Sequence, residues 1–330
     1  MHIKKTLSLL LAAALCLALL PPVHAAGGEA ADAANALYAL GLFRGVGTDE
    51  NGHPDFDLDR TPARTEGVTM LVRLLGAEDA AKSRDRNTPF TDVPDWAAPY
   101  VGYAYENGLT NGTGDTAFGS GLSVSAAQYL TLILRALGYE DGDGRDFLWS
   151  EPWVLTDRLG ITRGEYDAGT ENFTRGDVAI LSCRALSAKV KGRDYTLRDM
   201  LTISAYTGVS TAFSLLTSAL ETLSDAAGQE NAPLVFSSAG MVKESYESVL
   251  GQLGRMLLLG AEHKELAAAV AALRSHFASL PPMSDDPDGF LAWLEAISRD
   301  AFIDRTAELG AAVDGEMLRA FPRLSGQTGG

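Results

Sequence analysis

Apolar residues recur every three or four positions along most of this chain, interrupted by polar, glycine-containing stretches. Tyr100, Val101, Ala104 and Tyr105 share one face of a helix with 3.6 residues per turn, and Leu130, Ile133, Leu134 and Leu137 form the stripe of another. Gly108 and Gly138 follow, each supplying the left-handed stop favoured just past a helix end. From about Tyr195 the glycine turns cease and helical periodicity takes over. Leu215, Leu216, Ala219, Leu220 and Leu223 mark a first stripe, and Val249, Leu250, Leu253, Met256 and Leu257 a second. Leu266, Val270, Leu273 and Phe277 mark a third. Phe290, Leu291, Leu294 and Ile297 begin a fourth, and Leu309, Val313, Met317 and Phe321 a fifth. Pro281-Pro282 breaks the pattern, and Asp285 or Asp286 before Pro287 can start the next helix. Long amphipathic helices on short links predict antiparallel neighbours in a bundle. The expected fold is mainly all-α.

The first half repeats itself. Leu-Gly-Leu-Phe-Arg-Gly-Val-Gly begins at Leu40, Asn-Gly-Leu-Thr-Asn-Gly-Thr-Gly at Asn107, and Leu-Gly-Ile-Thr-Arg-Gly-Glu at Leu159. Each is followed by a helix-like run, from Met70, Leu132 and Leu181, which contains Arg73, Arg135 or Arg184. Gly41, Gly45 and Gly47 match Gly108, Gly112 and Gly114 at a shift of 67, and Gly108 and Gly112 match Gly160 and Gly164 at a shift of 52. A helix–turn–helix unit that cannot bury its apolar face alone must stack on its copies. The copies are placed at residues 29–82, 88–141 and 146–192, with a helical bundle over 195–330.

The second helix of each copy starts in a shared way. Thr174-Arg175-Gly176-Asp177 and Ser125-Ala126-Ala127-Gln128 both read as capping boxes. Ala63-Arg64-Thr65-Glu66 keeps the acid without the hydroxyl, so Thr61 followed by Pro62 is the alternative cap.

The chain starts with His2-Ile3-Lys4-Lys5, a 14-residue run from Leu7 to Leu20 that is apolar except for Ser8, and Val23-His24-Ala25, the pattern of a secretion signal at residues 1–25 cleaved after Ala25. Such a run is too short to span a bilayer comfortably, and no transmembrane segment is expected after cleavage. Loss of Lys4 and Lys5 moves the formal charge from −16 to −18. So acidic a chain repels nucleic acid in bulk, although a local basic pocket remains possible. Cleavage leaves Cys183 alone, which excludes an internal disulfide and reads as a small buried hydrophobe.

The second copy carries Phe90-Thr91-Asp92-Val93-Pro94, then Trp96-Ala97, Tyr100-Val101, Ala104, Gly108-Leu109, Gly112, Gly114-Asp115 and Phe118, closing on Leu132 to Gly138. These residues at these offsets resemble the S-layer homology family, over roughly residues 29–192. The resemblance implies a pseudo-threefold bundle of three repeats. It also implies a non-enzymatic exported protein held non-covalently on the bacterial cell wall or cell surface. The partner so implied is an anionic, pyruvylated secondary cell-wall polysaccharide or a peptidoglycan-linked glycan.

Candidate ligand-binding residues follow from the helix starts. A cation in a first helical turn opposes the macrodipole at about 0.3–1 kcal/mol, and Arg64 and Arg175 both accept that cost. Beside free first-turn N–H groups, a guanidinium makes a fork suited to a carboxylate. An internal salt bridge to an acid of the neighbouring copy is the other reading. Glu66 and Asp177 belong to the same tetrads, and Gly114-Asp115 to the facing turn. Trp96 and Trp153 either stack on a sugar ring or pack the core. No copy is complete: Ala126 replaces the arginine of copy two, and Tyr166 replaces a turn glycine in copy three. At most two working grooves are expected.

Asp141-Gly142-Asp143-Gly144-Arg145-Asp146 departs from a calcium loop at its fifth and sixth places and reads as a solvated linker. No metal, no cofactor and no catalytic residue is assigned. His53, His263 and His276 form no metal-ligand spacing, and no nucleophile elbow or phosphate loop occurs. The bundle displays a surface or meets a protein partner. The competing expectation is a wall-anchored hydrolase with its active site in the C-terminal helices, because such repeats often accompany catalytic modules.

Overall fold

A computed structural model of the chain describes residues 28–229, 232–283 and 286–322. The secretion signal expected at 1–25 lies outside the described residues, as does Asp285. The fold is mainly all-α, with one two-stranded ribbon, β1 (Gly47–Thr48) and β2 (Pro54–Asp55), among the described residues.

Six principal helices build the first unit: α1 (Glu29–Ala39), α2 (Arg64–Leu74), α4 (Ala98–Glu106), α5 (Ala126–Ala136), α6 (Trp153–Arg158) and α7 (Arg175–Ala185). A short α3 (Glu78–Lys82) follows α2. The second helices of the three repeats, α2, α5 and α7, each touch the other two. Around them α4 packs on α2, α6 on α5, and α1 on α7, which closes the ring between its first and last helices. Fully buried Leu71, Leu130, Ile133, Val178 and Leu181 belong to one continuous core. Each such side chain contributes about 1.5–3 kcal/mol when buried.

The repeated glycine has a repeated cause. Gly41, Gly108 and Gly160 sit at φ 71°, 68° and 73°, where a Cβ is penalised. After each, an N–H reaches back to close the helix end: Leu42 to the Leu37 carbonyl at 2.9 Å, Leu109 to Ala104 at 2.8 Å, Ile161 to Thr156 at 2.9 Å. The helix starts interlock in turn. The Arg64 N–H donates to Leu122 O and the Val124 N–H to Pro62 O, while the Arg175 N–H donates to Arg60 O and the Gly176 N–H to Leu58 O.

The caps at Ser125 and Thr174 form as the tetrads suggest. The cap of α2 does not use Thr61. Ala63 takes that place, and Glu66 accepts from its N–H at 2.7 Å. The supposed linker at 141–146 is also more structured than its composition implies. Asp141 accepts both prongs of Arg135 at 2.7 and 2.8 Å, and Asp146 accepts from Lys191 at 2.7 Å. Pairing of these acids with Arg135 of α5 and with Lys191 in the turn after α7 orders the segment despite its glycines.

The second unit comprises α8 (Leu197–Gly228), α9 (Ala232–Leu259), α10 (Lys264–Ala278), α11 (Pro287–Ile297) and α12 (Asp300–Ala320). It has its own buried cluster, from Ala205 to Phe321. Consecutive long helices pack against each other, α8 on α9 and α9 on α10, with α12 on α10. The third and fifth stripes are buried in full. Leu215 and Leu291 are each 56% exposed, because no neighbour covers that side of their helices. Trp293, absent from the expected stripe, is fully buried between Tyr246 and Phe290. Asp286 caps α11 by accepting from the Gly289 N–H at 2.9 Å.

The two units are not joined as beads on a string. Leu197 and Leu201 of α8 and Leu259 of α9 belong to the first core. Arg255 of α9 donates to the Gly76 carbonyl at 3.5 Å, and within the second unit His263 Nε2 lies 2.9 Å from Asp199 Oδ1 at the base of α8.

Candidate functional site

Each helix-start arginine enters the turn of the next copy around the ring. The Arg64 side chain, 8% exposed, leaves α2 and reaches the glycine turn of copy two. Its Nε donates to Phe118 O at 2.9 Å and its Nη2 to Gly112 O at 3.4 Å, with the guanidinium 5.1 Å from the centre of the Phe118 ring. Arg175, 4% exposed, leaves α7 and reaches the turn of copy one. There Nε donates to Phe56 O at 2.8 Å, Nη2 to Arg44 O at 3.2 Å and Nη1 to the Met70 sulfur at 3.5 Å, beside the Phe43 ring.

Neither guanidinium stands out at a crevice rim, and neither is locked to an acid. Backbone carbonyls of the facing turn hold both, and each buried guanidinium satisfies carbonyls that would otherwise lack a donor. Their electrostatic settings differ. Burial lowers the pKa of Arg64, and the charge of Arg135 adds to that effect. Burial lowers that of Arg175 too; the negative charges of Glu66 and Asp57 oppose it, and the positive charges of Arg60 and Arg73 add to it. Arg175 therefore sits among charges of both signs. Arg64 is a desolvated cation whose nearest charged influence has the same sign.

Glu66 and Asp177 serve the helix starts. Glu66 accepts both prongs of Arg60 at 2.8 Å, and Arg60 followed by the Ala63 N–H holds its carboxyl below the usual range. Asp177 accepts from Thr174 N at 2.7 Å, Thr174 Oγ1 at 2.8 Å and the Tyr166 hydroxyl at 2.9 Å. Tyr166 thus has a use at the place where copy three lacks a glycine. At the junction of copies two and three, buried Ala126 brings no cation, and Tyr129, Phe173 and Tyr166 form an aromatic chain with centroids 6.0 and 6.2 Å apart.

Gly114 and Asp115 lie exposed in the turn whose Gly112 carbonyl touches Arg64. Trp96 is 54% exposed near the start of α4, whereas Trp153 is half-buried against the core. The structure therefore gathers Arg64, Gly114 and Asp115 at one inter-repeat junction and sends Trp153 elsewhere.

One contributor went unassigned in the sequence. Asp92 accepts the N–H groups of Phe118, Gly119 and Ser120 at 2.7, 2.8 and 2.9 Å, which lowers its pKa. It fixes the strand of turn that presents the Phe118 carbonyl to Arg64. The signal was present in Phe90-Thr91-Asp92, since the in-phase triplet of copy three, Phe147-Leu148-Trp149, replaces that acid with a tryptophan 65% exposed.

The turn side of this junction falls within the most recognisable stretch of the chain: residues 89–125 match the S-layer homology domain. The chain carries an S-layer homology domain. It is similar to a cell surface protein of Thermoanaerobacter kivui, with 34% identity over 160 residues, 47% of this chain and 20% of that protein. It is similar to a surface layer protein of Brevibacillus choshinensis, with 38% identity over 148 residues, 42% of this chain and 13% of that protein. An endoglucanase of Bacillus sp. (strain KSM-635) is 27% identical over 170 residues, 45% of this chain and 18% of that enzyme. The aligned part is thus a fifth or less of each of these relatives. Among the described residues no helix is long and apolar enough to cross a membrane.

Proposed function

We propose that this protein is held non-covalently at the bacterial cell surface by its S-layer homology domain, and that the junction of copies one and two binds an anionic wall polysaccharide. The bundle is then a displayed, non-enzymatic module. Arg64 carries the reading. It is a buried guanidinium whose carbonyl partners, Gly112 and Phe118, lie in the stretch that matches the family, and among the described residues no carboxylate is paired with it. A sugar carboxylate, such as a pyruvate ketal, would supply the missing negative charge through the outer edge of the fork. Asp115, Gly114 and exposed Trp96 belong to the same copy and are proposed to contact the sugar. The other two junctions are proposed to play no part in binding: Arg175 already has Glu66 and Asp57 in its surroundings, and Ala126 brings no charge. The names of the surface-layer relatives support the location.

Sedimentation with purified walls tests this. The protein should pellet with native walls and stay in solution with walls stripped of their secondary polysaccharide. Arg64→Lys keeps the charge but loses the fork, and should weaken binding about tenfold to a hundredfold, the range for a lost charge-assisted hydrogen bond. Equal pelleting with stripped walls, or unchanged binding by a folded Arg64→Lys, would end the reading. The likeness to an endoglucanase leaves hydrolysis as the second reading. Release of reducing ends from cellulose or wall glycan by the full chain would support it.

A further inference from the structure

The arginines in the last turns of the three second helices, Arg73, Arg135 and Arg184, meet acids in different proportions. Arg135 pairs with Asp141 at 2.7 Å, and Arg184 with two carboxylates, Glu29 at 2.6 Å and Glu165 at 2.5 Å. In copy one the balance is reversed. Arg73 approaches Glu78 at 3.4 Å, and the same carboxylate takes Arg44 at 2.8 Å and Lys82 at 2.9 Å. Three cations thus converge on one acid, in a chain where 43 acidic residues outnumber 27 basic ones. The Tyr100 hydroxyl donates to Glu78 as well, at 2.6 Å. Burial alone would raise the pKa of Glu78, but the hydrogen bonds from Tyr100 and Lys82 and the charges of Arg73 and Arg44 outweigh it and bring it down to about 2. Glu78 is therefore ionised at neutral pH, and the cluster keeps an excess of two positive charges. Asp79, the other acid of α3, faces Arg255 at 3.8 Å.

The fold has no need of that excess. Arg73 alone neutralises Glu78. The side chains of Arg44 and Lys82 are each more than half exposed, and exposed ion pairs add little to stability. Both retain donors for something else: Lys82 two of its ammonium hydrogens and Arg44 the rest of its fork. They sit on the two oxygens of one carboxylate, so their nitrogens lie within about 8 Å of each other, a gap that a phosphate spans with one hydrogen bond to each side. A carboxylate would answer one of the two charges with two coplanar oxygens. A phosphate ester brings a charge of up to about −2 and oxygens out of one plane, which suits a guanidinium and an ammonium together. We infer that Arg44 and Lys82 bind the phosphate group of a phosphate ester, with Glu78 holding the two cations in place. The inference does not rest on wall binding at Arg64, whose side chain reaches the turn of copy two instead.

Calorimetric titration of the full chain with glycerol 3-phosphate, at constant ionic strength and neutral pH, tests it, with acetate and chloride as the comparison anions. One saturable site is expected, with acetate at least tenfold weaker. The double variant Arg44→Gln/Lys82→Gln should lose at least tenfold in affinity for the phosphate ester, and Arg64→Lys should bind it as the wild type does. Both substitutions fall on exposed side chains, so the double variant should melt close to the wild type. If it does not, Lys82→Gln alone, which leaves the turn of copy one untouched, should still weaken binding at least threefold. Displacement of the probe by poly(glycerol phosphate) would assign the site to a wall polymer, by phosphatidylglycerol vesicles to a lipid surface, and by neither to a small soluble ester, each in support. Absence of saturable binding, equal binding by the folded variants, or an equal response to chloride overturns the inference and leaves the three cations as a surface ion-pair network.

Discussion

Replacing Arg175 with alanine removes the clamp between the last repeat and the first. The wild-type side chain satisfies Phe56 O at 2.8 Å and Arg44 O at 3.2 Å from a position 4% exposed. Hydrogen bonds from a charged donor contribute about 1.5–3 kcal/mol each when the partner would otherwise be left unpaired. The shorter bond should count fully and the longer one partly. Removing a cation from the first turn of α7 returns about 0.3–1 kcal/mol. The expected net loss is about 2–4 kcal/mol. For a unit of this size each kcal/mol lowers the melting temperature by about 2–4 °C, so the shift should be roughly 5–15 °C. Thermal unfolding followed by circular dichroism measures it, with Arg175→Met as a companion that restores bulk without the bonds. If the Arg175→Ala transition lay within about 1 °C of wild type, the carbonyl cradle would be irrelevant to stability and the argument from burial would be wrong. At temperatures where it is folded, Arg175→Ala should still pellet with walls, since the binding junction is assigned to Arg64.

Gly112→Ala should destabilise the turn of copy two by about 1–3 kcal/mol, because φ is 75° and a Cβ would collide with the Phe90 ring and the Ala117 carbonyl; the loss should appear in the urea midpoint, with wall affinity falling in parallel. Acid should weaken the base of the second unit, where α8 meets the turn before α10. Burial alone would raise the pKa of Asp199, but hydrogen bonds from His263 and Thr196 outweigh it and hold the carboxyl below its ordinary 3.8. The unfolded chain then binds the proton more readily, so this contribution is present above the unfolded value and is lost as the pH falls through the folded one. Urea midpoints measured downward from neutral pH should show a steeper decline for wild type than for Asp199→Asn. Trp293→Ala should cost the bundle about 3–5 kcal/mol, the range for a deleted aromatic core residue. Tryptophan-independent probes on each unit should show the bundle melting early and the S-layer homology domain nearly unmoved.

Much of the fold was legible because its signals are local. A glycine after an apolar run, a hydroxyl three residues before an acid and a proline after an aspartate each act through one or two backbone groups, and Gly108, Thr174 and Asp286 all behave accordingly. The misses share a different cause. Leu215 and Leu291 lie on plausible stripes, yet their exposure depends on where α10 and α12 stop, which periodicity does not encode. Trp293 is buried because Tyr246 of α9 packs over it, beside Phe290 of its own helix. The arginines at the helix starts were visible as anomalies against the macrodipole. Their partners were not, since a backbone carbonyl has no letter in the sequence. The choice considered between a ligand and an acid left out the third acceptor that the structure supplies.

The α8–α9 hairpin leaves the S-layer homology domain at Leu197 and returns to it at Leu259, both set in that domain's core. Two rods sharing one footing resist twisting in a way that a single tether does not. With 32 residues, α8 reaches about 48 Å from its base. Whatever direction the ring adopts on its support, the far end of the lever inherits it, so the heading of the outer surface is set at the foot of the mast.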